Sequence, residues 1–276
     1  MDLAGKFSMK ENPVLPGNLR TAVFEEVRRT FVYPYSTFLC LAGNAILVTL
    51  LWFFVPTGYR SLFFNVQGIF FFPIVLASWM VADVPATNEW APDSLRVLAA
   101  MGDEPMLTRL LRAKHLVLWI FVTPIVITVA AIIGGVTGDR LSMILCIGWV
   151  ASVPLSSLGL ASLVGIIWPY HPIPLKTRLK KRRQWKHMWL RWSVLVVIPY
   201  VIVPLFAAIG FGPTLILFKV AKLDHTTVHR GALMIGLVIT VPLAAFVWTW
   251  GTRYGARLTT KRAAQLRLYL SDPLKG

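Results

Sequence analysis

The feature that most constrains this chain is a series of long apolar stretches that contain no Asp, Glu, Lys, Arg or His, at 36–55, 62–82, 116–133, 141–168, 192–218 and 231–250. Each is close to or beyond the roughly 20 helical residues that cross a hydrocarbon core. With 56% hydrophobic and 14% charged residues in 276, the pattern predicts an all-α integral membrane fold of six transmembrane helices. Nothing before the first stretch resembles a cleaved leader, so residues 36–55 are expected to act as their own insertion signal.

Charge sets the expected orientation. The chain carries +16 formal charges, and with six spans 23 of its 28 Lys and Arg fall on the side of the termini and 5 on the other. Cytoplasmic segments of membrane proteins hold the excess of basic residues. Both termini are therefore expected in the cytoplasm, together with residues 83–115. Three parts follow: a tail and interfacial helix at 1–35, a transmembrane domain at 36–252, and a basic tail at 253–276. Cys40 and Cys146 both lie inside predicted spans, which offers neither a disulfide framework nor zinc-ligand spacing.

The first amphipathic segment covers 19–33. Leu19, Val23, Val27 and Phe31 recur every four residues, with Arg20, Glu25, Glu26, Arg28 and Arg29 on other faces. This predicts a helix lying along the membrane surface, although a helix packed on protein has the same pattern.

Residues 83–115, DVPATNEWAPDSLRVLAAMGDEPMLTRLLRAKH, form the longest polar insertion. A connector between helices takes roughly 2–8 residues, so this one has another task. Pro92, Asp93 and Ser94 suit a helix start, Gly102 a stop, and Asp103 with Glu104 and Pro105 a second start that runs into the third span. Leu95, Leu98 and Met101 make an apolar stripe that asks for a partner.

The loop at 169–191 holds eight basic residues and no acid. Its Lys180, Lys181, Arg182, Arg183 and Trp185 read as an anchor for anionic lipid headgroups rather than a nucleic-acid site, because basic residues and Trp both favour that interface. No nucleic-acid partner is expected. Pro199, Pro204, Pro213, Gly210 and Gly212 predict a kinked or broken fifth span, and residues 211–230 are expected to dip partly into the outer leaflet. Small residues at four-residue spacing, Ser157, Ala161 and Gly165 in the fourth span and Ala232, Gly236, Thr240 and Ala244 in the sixth, permit close helix packing within or between subunits. The tail, with Arg253, Arg257, Lys261, Arg262 and Arg267 beside Leu258, Leu266 and Leu270, predicts another surface-lying helix.

No catalytic constellation emerges. The spans lack the ionisable relays of ion-coupled transporters and intramembrane enzymes. Asp224, His225 and His229 have no third ligand partner in pattern, while His171 and His187 sit among prolines and bases. Gly5-Lys6-Phe7 is not a phosphate loop. No metal, cofactor or catalytic residue is assigned to the chain, and any energy source has to lie outside it.

The order of parts resembles the membrane-spanning subunits of ABC exporters, the ABC-2 type permease family. The local match runs from Glu89 through Ser94-Leu95-Arg96-Val97-Leu98 and Met101–Pro105 to Ala113-Lys114, where the family has an acidic residue, a helix start like Gly-Thr-Leu-Glu, leucines, a proline and Gly-Lys. Here Pro92-Asp93-Ser94 replaces Gly-Thr, Arg96 stands in the acidic position and Ala113 replaces glycine. The resemblance implies a coupling helix that seats Glu89, Pro92, Asp93, Ser94, Leu95, Arg96, Leu98, Met101 and Pro105 near a separate nucleotide-binding ATPase subunit, which would hold ATP and Mg. It further implies a second permease subunit, identical or different, with a substrate path between the two. Asn44, Thr49, Asn65 and Gln67 are the polar side chains expected nearest that path, with interhelical hydrogen bonding as their alternative role. A non-transporting membrane scaffold that docks a cytoplasmic partner is the competing expectation.

Overall fold

The computed structural model describes residues 15–32, 36–55, 69–82, 84–169, 197–203, 205–207, 212–213, 216 and 230–272. Among these residues there is no strand. The helices are α1 (Leu19–Thr30), α2 (Ser36–Phe54), α3 (Phe71–Met80), α4 (Val84–Thr87), a 3-10 turn at Ala91–Asp93, α5 (Ser94–Ala100), α6 (Glu104–Thr137), α7 (Arg140–Ile167), α8 (Arg230–Lys261) and α9 (Ala263–Leu270). A short apolar helix also covers Val197–Ala207.

Four helices, at Thr37–Phe54, Glu104–Thr137, Arg140–Ile167 and Met234–Lys261, are long and apolar enough to cross a membrane. The chain is thus a multi-pass helical membrane protein. The expectation of six spans is met only in part. The second is described as α3 alone, whose 10 residues rise only about 15 Å at 1.5 Å per residue. The fifth is described only over Val197–Ala207. The basic loop with Lys180, Lys181, Arg182, Arg183 and Trp185, the polar residues Asn65 and Gln67, and Asp224, His225 and His229 lie outside the described residues.

Helix starts follow from local chemistry. Asn18 accepts the Thr21 amide at 2.8 Å to cap α1, and Asp103 accepts the Met106 amide at 2.9 Å to cap α6. These contacts satisfy amides that have no carbonyl partner in a first turn. Gly102, at φ 116°, supplies the left-handed residue that separates α5 from α6, a conformation costly for a residue with a Cβ. At the far end Gly138 (φ 73°) closes α6, and Asp139 starts α7 by accepting the Ser142 amide at 3.1 Å.

Two apolar cores result. The larger lies among the spans and includes Val48, Trp52, Leu76, Met80, Val122, Val126, Trp149, Val153 and Leu158. The smaller lies at the charged end, where Trp90, Val97, Leu107, Leu110, Leu111, Ile166, Ala256, Leu266 and Leu270 meet. The second core exists because α6 and α8 outrun the bilayer. Helix α6 has 34 residues, about 51 Å against a hydrocarbon core of about 30 Å.

The small-residue ridges turn inward. Ser157, Ala161, Thr240 and Ala244 are buried within the chain, and a Cβ on Gly251 would strike the Gly159 carbonyl oxygen. Helices α7 and α8 therefore meet backbone to backbone inside one subunit, which decides between the two expected placements.

Candidate functional site at the charged end

Residues 84–115 come together with α1 and the end of α8 around a buried polar cluster. Asp93 is its centre. The Nη1 of Arg29 lies 2.6 Å from one carboxylate oxygen, the Nε of Arg96 donates to both oxygens at 2.9 Å, and the Lys114 Nζ sits 3.3 Å from Oδ2. Arg96, only 2% exposed, also reaches Glu26 at 2.5 Å and Glu25 at 3.3 Å. Lys114 closes the ring on Glu26 at 2.8 Å. Three carboxylates thus face three cations across α1, α5 and α6, which makes the cluster neutral as a unit. A buried charge is tolerable only when paired and hydrogen-bonded in this manner.

The electrostatics follow the geometry. Burial by itself would raise the Asp93 carboxyl, but Lys114, Arg96 and Arg29 outweigh it and hold the group at about 2. Glu26 is also lowered: burial opposes the shift, and Lys114 with Arg96 overcomes it. Glu89 shows the reverse. It is buried with the Nε2 of His115 at 2.7 Å, an approach outside hydrogen-bonding geometry, and burial raises its carboxyl above the usual range, only partly offset by His115 and Lys114. Trp248 fixes the His115 tautomer: its indole N–H donates to Nδ1 at 3.2 Å, so the ring proton sits on Nε2, facing Glu89. The backbone that carries Glu89 is pinned because a Cβ on Gly165 would collide with the Thr87 carbonyl oxygen. Trp248, His115 and Glu89 thus bring α8, α6 and the segment after α4 into contact.

This arrangement corrects several expectations. Helix α1 packs on protein, the alternative reading of its pattern. Arg109 donates to the Pro16 carbonyl at 2.8 Å, Glu26 pairs with Lys114, and Phe31 packs edge-on against Phe121 at 5.7 Å. Those contacts advance together, so α1 runs lengthwise along α6. Its buried residues are Ala22 and Thr30, with Glu26 half-buried on the same line, while Phe24 is 72% exposed. The ion pairs pull the acidic flank inward and leave Arg20, Phe24, Arg28 and Phe31 facing out.

The expected coupling stripe is similarly turned. Met101 is buried and Leu98 half-buried against the smaller core, whereas Leu95 is 47% exposed. The tail is the reason: α9 seats Leu266 and Leu270 in that core instead of lying free on a surface, and Arg267 donates to the Met101 carbonyl at 3.3 Å. Trp90 reinforces the clasp by donating to the Thr259 hydroxyl at 2.9 Å. Glu89, Asp93 and Arg96 are buried within the chain as well, as is Met101. The face left open comprises Pro92, Leu95, Ala99 and Pro105, with Ser94 at its margin.

The proposed path residues divide too. Asn44 is buried and accepts the Tyr200 hydroxyl at 2.7 Å, the interhelical hydrogen bond that was its alternative role. Thr49 donates to the Ala45 carbonyl of its own helix at 2.7 Å.

Sequence reasoning missed Glu25, Glu26, Arg29, Lys114, His115 and Trp248 as parts of one site. One signal was present. Acids are scarce, 12 against 28 Lys and Arg, and adjacent acids at Glu25-Glu26 opposite Lys114-His115 at the edge of a span invite pairing. Comparison with family models, with curated proteins and with solved structures finds no match.

Proposed function

We propose that this chain is the membrane-spanning subunit of an ATP-driven exporter of the ABC-2 type, working in a bacterial plasma membrane with both termini in the cytoplasm. A separate nucleotide-binding subunit would press on α5 through Pro92, Leu95 and Ala99, and a second permease subunit would complete the path for an amphiphilic, lipid-like, drug or glycan cargo. The observation that carries the reading is mechanical: α5 stands outside the apolar body yet is joined to α1 and α6 by the Asp93–Arg96–Glu26–Lys114 ion pairs. A push on α5 is then passed to the long helix α6 as a rigid unit. The lack of Asp, Glu, Lys, Arg or His in the apolar stretches of the sequence leaves no internal relay to drive transport, which fits an external ATPase. The basic bias toward one side supports the orientation.

A second reading has its own support. Helix α9 covers Leu98 and Met101, which shrinks the docking footprint and suits a scaffold that holds a partner without being driven by it. Purification in mild detergent separates the two. For the exporter, an ATP-hydrolysing subunit co-purifies and is lost in L95D/A99D, a change confined to the exposed face. Retention of that subunit by the variant rejects α5 as the coupling element, and a partner without ATPase activity favours the scaffold.

A further inference from the structure

Among the described residues, Arg112 and Arg253 have no carboxylate within ion-pair distance. Arg112 lies on α6 and donates to Thr252 of α8, and Arg253, exposed, is the next residue along that helix. Arg112 is held in place by neutral groups alone: its Nε donates to the Thr252 hydroxyl at 3.3 Å, and its Cζ stands 5.5 Å from the centre of the Trp248 ring. Neighbouring arginines on these helices are treated differently. Arg257 is neutralised by Glu104 at 2.8 Å, and Arg109 and Arg262 donate to backbone carbonyls.

Position adds a second constraint. Arg112 precedes the apolar stretch of α6 that begins at Leu116, and Arg253 follows the one in α8 that ends at Trp250. Both therefore stand at the level where hydrocarbon gives way to headgroups. On α8, on either side of Arg253 in the sequence, Trp250 and Tyr254 stack at 5.0 Å with planes 5° apart, and both are exposed. Stacked amphipathic rings favour the interface, and a guanidinium fork matches phosphate oxygens. A guanidinium held by neutral groups alone, next to an exposed arginine with no carboxylate among the described residues, is an incomplete site that an anion would complete.

We infer that Arg112 and Arg253 form a binding site for the phosphate of an anionic lipid headgroup, at the membrane level marked by Trp250 and Tyr254. The site depends on the membrane placement of α6 and α8 and not on the exporter assignment. The shared chemistry is a phosphate anion, and the expected source is the bilayer.

The test compares the intact protein in nanodiscs of phosphatidylcholine with and without phosphatidylglycerol, scoring lipid retained in native mass spectra and the midpoint of thermal unfolding. Retained phosphatidylglycerol should fall about fivefold for each arginine converted to Gln, following the usual attraction of a basic residue to an anionic surface. R112Q/R253Q should abolish the rise in midpoint given by phosphatidylglycerol, and R257Q, whose arginine already has Glu104, should leave it intact. R112K tests the fork with charge conserved and should keep only part of the retention. Equal retention by R112Q/R253Q and the unaltered protein overturns the site. An equal rise in midpoint from inorganic phosphate in detergent overturns the lipid source. If R257Q loses as much as R253Q, the effect is general surface charge and the site is rejected.

Discussion

The apolar body and the charged end solve one problem, holding helices together, by opposite means. In the body, α7 and α8 approach until the Gly159 carbonyl faces Gly251, and the hydroxyls of Ser152 and Ser157 are turned back onto their own helix. Lipid tails compete with any apolar side chain there, so close backbone contact does the holding. At the charged end, Arg96 alone joins three carboxylates from two segments. The contrast teaches that the body tolerates sliding between smooth surfaces, whereas the end admits one arrangement of donors and acceptors. An element that must transmit a push belongs to the second kind.

The comparison breaks most sharply at Arg96. Replacing it with Leu leaves Asp93, Glu25 and Glu26 facing one another in a buried setting, and breaking such a pair costs about 3–5 kcal/mol. R96L should therefore lower the unfolding midpoint in detergent more than any single change in the body. R96K should not restore it, because one ammonium cannot span Asp93, Glu26 and Glu25 together. A small loss in R96L would mean that the charged end is held by its apolar core alone.

Next in size is the body's own contact. Adding a methyl group at Gly251 forces α7 and α8 apart at a backbone atom, and overpacking of this type costs up to about 3 kcal/mol. G251A should be destabilised accordingly, while G135A, whose Cβ would meet nothing within 4 Å, should be neutral. Equal behaviour of the two glycine variants would remove the distinction between a crossing point and a lipid-facing surface.

The sequence made these regions legible to different degrees. The spans of α2, α6, α7 and α8 were readable because each long apolar run has one physical explanation, and the caps at Asp103 and Gly102 are local events within a few residues. The cluster was not readable, since Arg29 and Asp93 lie 64 positions apart and nothing in either neighbourhood names the other. The packing of Leu98 and Met101 was hidden for a similar reason: their cover comes from Leu266 and Leu270, at the other end of the chain. Periodicity marks the apolar side of a helix but not who occupies it. For α1 it marked even the side poorly, because the ion pairs of Glu26 outweighed the apolar line at Val23 and Val27.

The pH response sharpens the comparison at the next level. Asp93 sits at about 2 against an ordinary 3.8, a lowered folded value, so its contribution is fully present above the ordinary value. It is lost as pH falls from near 4 toward 2, and amounts to roughly 2 kcal/mol. D93N should be destabilised at neutral pH and should show a shallower acid limb. Glu89 is raised, so its sign is opposite: its ionisation costs stability as pH rises through the raised value. E89Q removes the buried ionisable carboxyl at nearly constant shape and should lift stability on the alkaline side. Thermal unfolding across pH 2–9 reads both limbs, and an acid limb unchanged in D93N would place the titrating carboxylates elsewhere.

The smallest expected effect asks whether polar contacts in the body follow the rule of the end. Tyr200 donates to Asn44 at 2.7 Å, tying α2 to the 197–207 helix, yet both groups are neutral. In lipid such a bond is worth about 0.6 kcal/mol, because the separated helices also find partners. A double-mutant cycle of N44A and Y200F in detergent should return a coupling of that order, well below that of Arg96 with Glu26. A coupling several times larger would make Asn44 a structural pivot as rigid as the charged cluster, and the division between a sliding body and a fixed end would fail. A coupling near the expected size leaves α2 free to shift against the 197–207 helix at little cost, which is the freedom that a helix moved by α5 through α6 needs from its neighbours.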